Sequence, residues 1–520
     1  MHRLFALLLK AFPIILVVLA GFSLRLVNLG YADYQGDEIK AFYLPEPGQS
    51  IPDFLFTQRK GPVQFIITGF LSRFDTFYEN QFLMRIFFAL AGCLALVFFY
   101  FLVASRFGKH IALYAGFFFA TNGFLVGLGR IAQYQSYVIL GGILALYFFN
   151  KAVKDPRSGI IGIYLGFICW AVALLSHFDA LLIAPLALYF LWEWWRSGLM
   201  PVRNRIKHLL ISICIAGVPV LGFYIPFIFY IDAGTKLYWT ERLVEAAAEK
   251  MSSSILLFQI YQPVFVLGIY ILFITACLIF CLGLSLKRWQ AGFQDWTPAD
   301  VPLQEFRNNL LVVWVWFLLP FILMEVIIYQ PGTHMYTYLI PAFILLGVGV
   351  YATEQSIRVS SRSKGWHWMY PTVISGVFLL IFLQSYAIFV DHIQDYPWEN
   401  ERFLFWTLKS PTAEVTDRYS LSMFGFPYYR NWEKIGSFIR DGEDFRSIGA
   451  NEPDVVTNFY VRKEGRPASP FRYYISIQNP RSFLPVLNQR MAEVINSQEP
   501  VLGIKEQGKT LAEIFRIDIR

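Results

Sequence analysis

Long apolar segments separated by short polar stretches dominate the first 390 residues of the chain. About 20 consecutive apolar residues are enough to cross a bilayer as a helix, and eleven such segments can be read from the sequence. They lie at residues 8–29, 82–103, 110–129, 131–150, 159–176, 178–195, 209–231, 258–284, 310–329, 335–353 and 370–390. We read the first as a retained span rather than a signal peptide, because its apolar run is long and no small-x-small site follows it. The pattern predicts a mostly α, polytopic membrane protein with about 11 transmembrane helices.

The hydropathy falls after the last of these segments, and the remaining residues, 391–520, form a polar tail. Three runs of the tail are typical of strands, and two have the spacing of helices. The strand-like runs are 454–461, 472–477 and 512–519, and the helical ones are 430–440 and 481–495. The chain therefore divides into a transmembrane domain, 1–390, and a small α/β domain, 391–520.

The composition and the placement of charge agree with this division. Only 16% of the 520 residues are charged and the mean hydropathy is +0.47, whereas soluble domains carry about 25% charged residues. If the N-terminus is cytoplasmic, the inner loops hold 17 Lys and Arg and the outer loops hold eight. This bias predicts a multi-pass protein of the cell membrane with an extracytoplasmic C-terminal domain. The same excess of Lys and Arg in the inner loops accounts for the net charge of +7, so no nucleic-acid partner is expected. The five cysteines all lie in apolar stretches, so no disulfide framework is expected.

Two adjacent carboxylates, Asp37 and Glu38, stand at the start of the first outer loop, which runs from 31 to 80. They have a structural interpretation, because Asp37 after Gly36 is a good helix N-cap and acids suit the first turn of a helix. Their position directly outside the membrane equally suits catalysis.

Further polar residues are predicted at the same membrane face. They are Arg59, Lys60, Arg130, His177, Asp179, His334 and, in the outer part of the ninth span, Glu325. Each has a structural alternative, such as contact with lipid headgroups, an arginine at a helix end, or a cap. An ionisable residue inside the hydrocarbon costs roughly 2.5–3.5 kcal/mol, however, and acids, bases and histidines gathered at one face indicate a reaction site.

Transfer of a sugar from a polyprenyl-phosphate carrier needs this arrangement. Fixed cations at headgroup depth, with Lys60, Arg59 and Arg130 as candidates, would bind the donor phosphate and stabilise its developing charge. A carboxylate, Asp37 or Glu38, would take the proton of the acceptor hydroxyl, which is worth about 10²–10⁴-fold in rate. A single displacement at the anomeric carbon inverts its configuration.

The order of these residues resembles the C-type membrane glycosyltransferases, specifically the bacterial and archaeal relatives of protein O-mannosyltransferases and of the lipid A aminoarabinose transferase. The matching elements are Asp37-Glu38 after the first span, Lys60-Gly61-Pro62, Arg130 after the third span, 176-SHFDALL-182, Thr333-His334-x-Tyr336 and the C-terminal domain. Relatives often read Lys-Pro-Pro-Leu where this chain has Lys60-Gly61-Pro62-Val63.

The resemblance implies the GT-C fold, Asp37 as the base, Lys60 in contact with the carrier phosphate, and no soluble nucleotide-sugar site. We assign the remaining polar residues of this face to substrate binding: His177, Asp179, His334, Glu325 and Tyr336. The expected partners are a polyprenyl-phosphate sugar, an acceptor protein, lipid or glycan, and the bilayer. The acids and His334 could bind a divalent metal, but we predict that no cofactor is required.

Two other classes of function compete with the enzyme. A transporter or flippase of polyprenyl-linked sugars is the main alternative, but transporters tend to have internal repeats and polar residues near the bilayer midplane. A membrane scaffold would not need acids and cations on the same face.

Overall fold

The structure, a computed structural model, is a helical bundle with a small sheet domain at one end. It describes residues 2–155, 159–198, 200–231, 233–244, 260–262, 264–286, 296–328, 332–360, 364–392, 401–403, 406–408, 424–441, 448–462, 473–478, 497–506 and 508–517, with single residues 292, 480, 493 and 495. The helices before the third predicted span are α1 (His2–Leu26), α2 (Gly36–Ile39), α3 (Ile51–Thr57), α4 (Pro62–Leu71) and α5 (Gln81–Phe107). Then follow α6 (Lys109–Thr121), α7 (Gly123–Leu128), α8 (Gln135–Lys154), α9 (Gly159–Ser176), α10 (Ala184–Arg196), α11 (Val202–Tyr230), α12 (Ala233–Val244), α13 (Val264–Ser285), α14 (Leu303–Ile322), α15 (Tyr336–Ser360) and α16 (Lys364–Phe389).

Nine helices of the described residues are long and apolar enough to cross a membrane. They are Gln81–Phe107, Gln135–Lys154, Gly159–Ser176, Phe178–Arg196, Val202–Tyr230, Phe265–Ser285, Leu303–Ile327, Gly332–Val359 and Trp368–Phe389. This confirms a mostly α, multi-pass membrane protein, and all eleven predicted segments coincide with helical parts of the chain.

The first and third predicted spans are not among these nine helices. The first coincides with α1, whose 25 residues reach the length of a span. The third is broken at Asn122, which ends α6 and accepts a hydrogen bond from the Leu125 amide through its own side chain at 3.1 Å. Asn122 therefore caps a second helix, and the count of eleven is approximate.

Helix α15 lies at the centre of the bundle. All of its apolar window is buried, whereas only 17% of the corresponding window of α11 is buried. Close packing against α13 depends on Gly349, since a Cβ atom there would lie 1.9 Å from the Phe273 carbonyl oxygen. The exposed apolar faces of peripheral helices such as α11 are suited to lipid.

The C-terminal region contains a hairpin, β1 (Glu401–Phe403) and β2 (Trp406–Leu408), and a four-stranded sheet. The sheet has the order β3 (Ile448–Ala450), β4 (Tyr473–Ile477), β6 (Lys509–Arg516), β5 (Leu502–Glu506), with β3 and β4 parallel and the other pairs antiparallel. Its helices are α17 (Trp432–Asp441) and α18 (Asp454–Val461). The small α/β domain is thus confirmed, with strands at 473–477 and 509–516.

The predicted strand at 454–461 is wrong, because this run is helix α18. Its buried residues, Val456, Thr457, Tyr460 and Val461, recur at helical rather than strand spacing. The predicted helix 430–440 is confirmed as α17, and the predicted helix 481–495 lies almost entirely outside the described residues.

The sheet domain and the first outer loop share one hydrophobic core. Tyr34, Ile39 and Phe42 of the loop belong to the same buried cluster as Trp432 and Ile475 of the domain. We call this end of the bundle the capped end. The loop that carries the two acids is therefore built into the contact with residues 424–517.

Candidate active site

The first outer loop positions the acidic pair on a short helix, α2. Gln35, not Asp37, is its N-cap: the Gln35 side-chain oxygen accepts a hydrogen bond from the Asp37 amide at 3.0 Å. Asp37 instead lies in the first turn, where a carboxylate interacts favourably with the helix dipole. Its side chain is 37% exposed and pairs at 3.0 Å with Lys40. Such exposed pairs are weak, so the Asp37 carboxylate remains accessible.

Glu38, the next residue, is completely buried. Its two oxygens accept hydrogen bonds from Arg85 Nε at 2.7 Å and Arg85 Nη2 at 2.8 Å, and Oε1 also accepts one from the Ala132 amide at 2.9 Å. Arg85 donates further bonds to the carbonyls of Leu29 and Ala32. Glu38 therefore fixes the loop to α5 and to the turn after α7.

The turn at 60–62 is fixed against the end of α9. The Gly61 amide donates to the Ser176 carbonyl at 3.1 Å. A Cβ atom at position 61 would lie only 2.0 Å from the Leu175 carbonyl oxygen, so this approach requires glycine. Pro62 then occupies the first turn of α4, where no amide proton is needed. The geometry explains why this chain has glycine between Lys60 and Pro62.

This turn places the Lys60 side chain under the surface. Its Nζ atom is enclosed and has no hydrogen-bond acceptor among the described residues. It lies 5.5 Å from the centre of the Tyr134 ring. Burial lowers the pKa of the Lys60 ammonium below its usual range, and the negative charge of Asp37 partly opposes this. The site thus contains an enclosed ammonium group without a hydrogen-bonded anion in the part of the chain that the structure describes.

The turn after α9 and the start of α15 meet at Asp179. His177 Nδ1 lies 3.1 Å from Asp179 Oδ1, and His334 Nδ1 lies 2.5 Å from Asp179 Oδ2. The Tyr336 hydroxyl donates to Oδ2 at 2.6 Å. Four of the predicted substrate-binding residues therefore form one cluster around a buried carboxylate.

The cluster is continuous with the lysine. The Tyr134 ring stacks on His177 with 4.5 Å between ring centres, and the same ring faces Lys60. Next to it, Gln135 Nε2 donates to Thr333 Oγ1 at 3.2 Å. Burial lowers the pKa of His177, and the negative charge of Asp179 partly opposes this effect.

Three predicted residues have other surroundings. The Arg130 guanidinium is buried and donates to the carbonyls of Leu24, Val27 and Asn28 at 2.8, 2.9 and 3.1 Å. Arg59 donates to Thr235 of α12 at 3.3 Å. Glu325 lies in a π-helical turn after α14 and accepts a bond from the Tyr338 hydroxyl at 2.8 Å.

The arrangement of Arg130 has a structural cause. Its guanidinium donates to three backbone carbonyls at the C-terminal end of α1, which have no partners within the helix. Arg130 thereby holds the turn after α7, whose Ala132 amide donates to Glu38. The structure therefore places Arg130 in the network that anchors the loop.

Arg85 and Tyr134 were missed from the sequence. A lone arginine one turn into an apolar span is a detectable signal, because a charge at that depth needs a partner. Tyr134 carries no such signal, since 18% of the chain is aromatic.

One segment of the chain matches a known protein family. Residues 60–223 match the family described as dolichyl-phosphate-mannose-protein mannosyltransferase. This segment contains Lys60, Arg130, His177 and Asp179. No curated protein sequence matches the chain.

Solved structures of two membrane enzymes are similar to the whole bundle. ArnT from Cupriavidus metallidurans, in the apo state, is 12% identical, with 98% of each chain covered and a TM-score of 0.48. The archaeal oligosaccharyltransferase AglB from Archaeoglobus fulgidus, in complex with an inhibitory peptide and a dolichol-phosphate, is 12% identical. That match covers 90% of this chain and 70% of AglB, with a TM-score of 0.50. The shared fold with AglB and the match over residues 60–223 confirm the predicted likeness to the C-type membrane glycosyltransferases.

Proposed function

We propose that the protein is an inverting glycosyltransferase that moves a sugar from a polyprenyl-phosphate carrier to an acceptor hydroxyl. The observation that carries the proposal is the enclosed Lys60 ammonium without an acceptor among the described residues. Burying a charge without a counter-charge is costly, so this position suits an anion that arrives with the substrate. A carrier phosphate whose lipid tail remains in the membrane would supply that anion.

In the proposed reaction, Lys60 binds the donor phosphate and stabilises the charge that develops on it as the sugar departs. Asp37 accepts the proton of the acceptor hydroxyl. The acceptor oxygen forms a bond to the anomeric carbon from the side opposite the phosphate, and the bond from that carbon to the phosphate oxygen breaks. The products are the inverted glycoside and the polyprenyl phosphate.

The two acids have different roles in this proposal. Asp37 is exposed, whereas both oxygens of Glu38 are occupied by Arg85 and Ala132. A base must accept a new proton, and Glu38 could do so only by losing its ion pair. We therefore assign the base to Asp37 and a positioning role to Glu38.

The relatives support the choice of carrier. The matched family is described by a dolichyl-phosphate sugar donor, and the AglB structure contains a dolichol-phosphate. On that basis we propose that this protein also uses a polyprenyl-phosphate carrier. We further propose that the capped end faces the extracytoplasmic side and that the N-terminus lies in the cytoplasm. The acceptor would be a protein, a lipid or a glycan of the cell envelope.

The proposal is tested by the Asp37→Asn variant, which keeps the shape of the side chain but cannot act as a base. Mass spectrometry of cell-envelope glycans should show one sugar that is lost without the protein, restored by the wild type and not restored by Asp37→Asn. The matched control is Asp53→Asn in the same loop, because among the described residues the Asp53 side chain bonds to its own cap residue, Ser50, in an exposed turn. Equal restoration by both variants, at equal protein levels, would exclude Asp37 as the base.

A further inference from the structure

We propose that His177, Asp179 and His334 form a binding site for one divalent transition-metal ion such as Zn²⁺. One ligand atom from each residue lies within 4.8 Å of the others. The three come from two places in the chain, the turn after α9 and the turn before α15, so the fold brings them together. This goes beyond the sequence-based prediction, which required no metal.

The donor set favours this class of metal. Two imidazoles and one carboxylate are a common ligand set of catalytic zinc sites, which keep a fourth position open for water or substrate. The Asp179 oxygens lie 3.1 Å from His177 Nδ1 and 2.5 Å from His334 Nδ1. An ion bound at about 2.0–2.2 Å from each ligand atom requires His334 Nδ1 to move away from Asp179 Oδ2, so that the ion lies between them.

The surroundings of the ligands are also suitable. Metal-bound carboxylates are usually oriented by a further hydrogen bond, and the Tyr336 hydroxyl supplies one to Asp179 Oδ2 at 2.6 Å. The stack on Tyr134 fixes the orientation of the His177 ring.

The charges predict that the metal and an anion bind together. The ligand set carries the single negative charge of Asp179, so a bound dication would leave the site positive. The Lys60 ammonium faces the Tyr134 ring that stacks on His177, and its charge adds to that of the ion. A phosphate between the metal and Lys60 would relieve the repulsion, and this part of the inference rests on the proposed function.

The experiment is titration of the full-length protein, purified in detergent and freed of metal, with Co²⁺ and Zn²⁺. Co²⁺ bound by this ligand set should give a visible absorption band at one ion per chain, and Zn²⁺ should displace it. The variants are His177→Gln and His334→Gln, since glutamine still donates a hydrogen bond to Asp179 but is a poor metal ligand. The matched control is His110→Gln, an exposed histidine at the start of α6.

We expect both glutamine variants to lose the band and the control to keep it. Absence of stoichiometric binding by the wild type, or unchanged binding by His334→Gln, would overturn the metal site. Inorganic phosphate should tighten Co²⁺ binding about fivefold or more, in the usual range of coupled sites, and no effect of phosphate would overturn the shared-anion part. Metal binding is measured without sugar transfer, so failure of the metal site and failure of Asp37 as a base give different results.

Discussion

At the scale of single residues, two neighbouring carboxylates acquire opposite properties from their partners. Glu38 is buried in a bidentate pair with Arg85, and breaking such a pair by removing one member costs about 3–5 kcal/mol. Asp37 is 37% exposed and pairs with the exposed Lys40 at 3.0 Å. The sequence places both acids in one loop but cannot distinguish them, because Arg85, the partner of Glu38, is 47 residues away from it.

Lys60 should make binding of the donor lipid depend on pH. In the free protein burial lowers the pKa of Lys60, and a bound phosphate would raise it again. The affinity for the donor lipid should therefore be highest at pH values below the lowered pKa of Lys60, and it should fall as the pH rises through that pKa. The measurement is the affinity of the purified protein for a polyprenyl-phosphate diester between pH 7 and 10.5.

Two variants identify the titrating group. Lys60→Arg should keep its affinity to higher pH, because a guanidinium does not lose its proton in this range. Lys60→Ala should bind about 1.5–3 kcal/mol more weakly at neutral pH, which is the usual value of a charge-assisted hydrogen bond. The same pH dependence in wild type and Lys60→Ala would show that another group titrates.

At the scale of elements, the apolar spans were predictable because their signal is local. Each needs about 20 apolar residues in sequence, and no distant partner has to be known. Helix α18 was misread because Val455, Val456 and the aromatics of 454–461 favour strands. The helical signal was present in Pro453 followed by Asp454 in the first turn. The positions of Lys60 and His177 were predictable, but their shared contact with Tyr134 depends on tertiary packing.

The turn between residues 60 and 62 leads to a prediction for Gly61→Ala. The added Cβ atom would overlap the Leu175 carbonyl oxygen, so the turn must move away from α9. We expect a loss of about 1–3 kcal/mol in stability, as for other overpacked positions, together with weaker donor binding because Lys60 is displaced. Thermal unfolding in detergent and donor affinity measure the two effects.

The control is Gly69→Ala in α4, where an added Cβ atom meets only Leu44 Cδ2 at 4.0 Å. Alanine favours a helix over glycine by about 0.5–1 kcal/mol, so this variant should be neutral or slightly more stable. If Gly61→Ala behaved like Gly69→Ala, the close contact with α9 would not determine where Lys60 lies.

At the scale of the whole molecule, the C-terminal domain holds the loop segment that precedes Asp37 in place. The Asp33 amide donates to the Tyr428 carbonyl at 2.8 Å, and the Arg430 amide donates to Asp33 Oδ2 at 2.6 Å. The Tyr34 amide donates to the Tyr460 hydroxyl at 2.7 Å. These contacts lie directly before α2, so the domain sets the position from which Asp37 emerges. The boundary at residue 390 separates an apolar part of the sequence from a polar one. In the folded chain, however, the loop 31–80 packs against the C-terminal domain and shares a hydrophobic core with it.

The Tyr460→Phe variant should therefore loosen a loop more than 400 residues away in sequence. It leaves the buried Tyr34 amide without its acceptor, which costs about 1–3 kcal/mol. Hydrogen exchange of a peptide covering residues 31–42 should become faster in this variant, and sugar transfer should fall with it. The control is Tyr474→Phe, a buried tyrosine on β4 of the same domain, which should leave exchange in 31–42 unchanged. Equal exchange in wild type and Tyr460→Phe would mean that the domain covers the site without positioning Asp37.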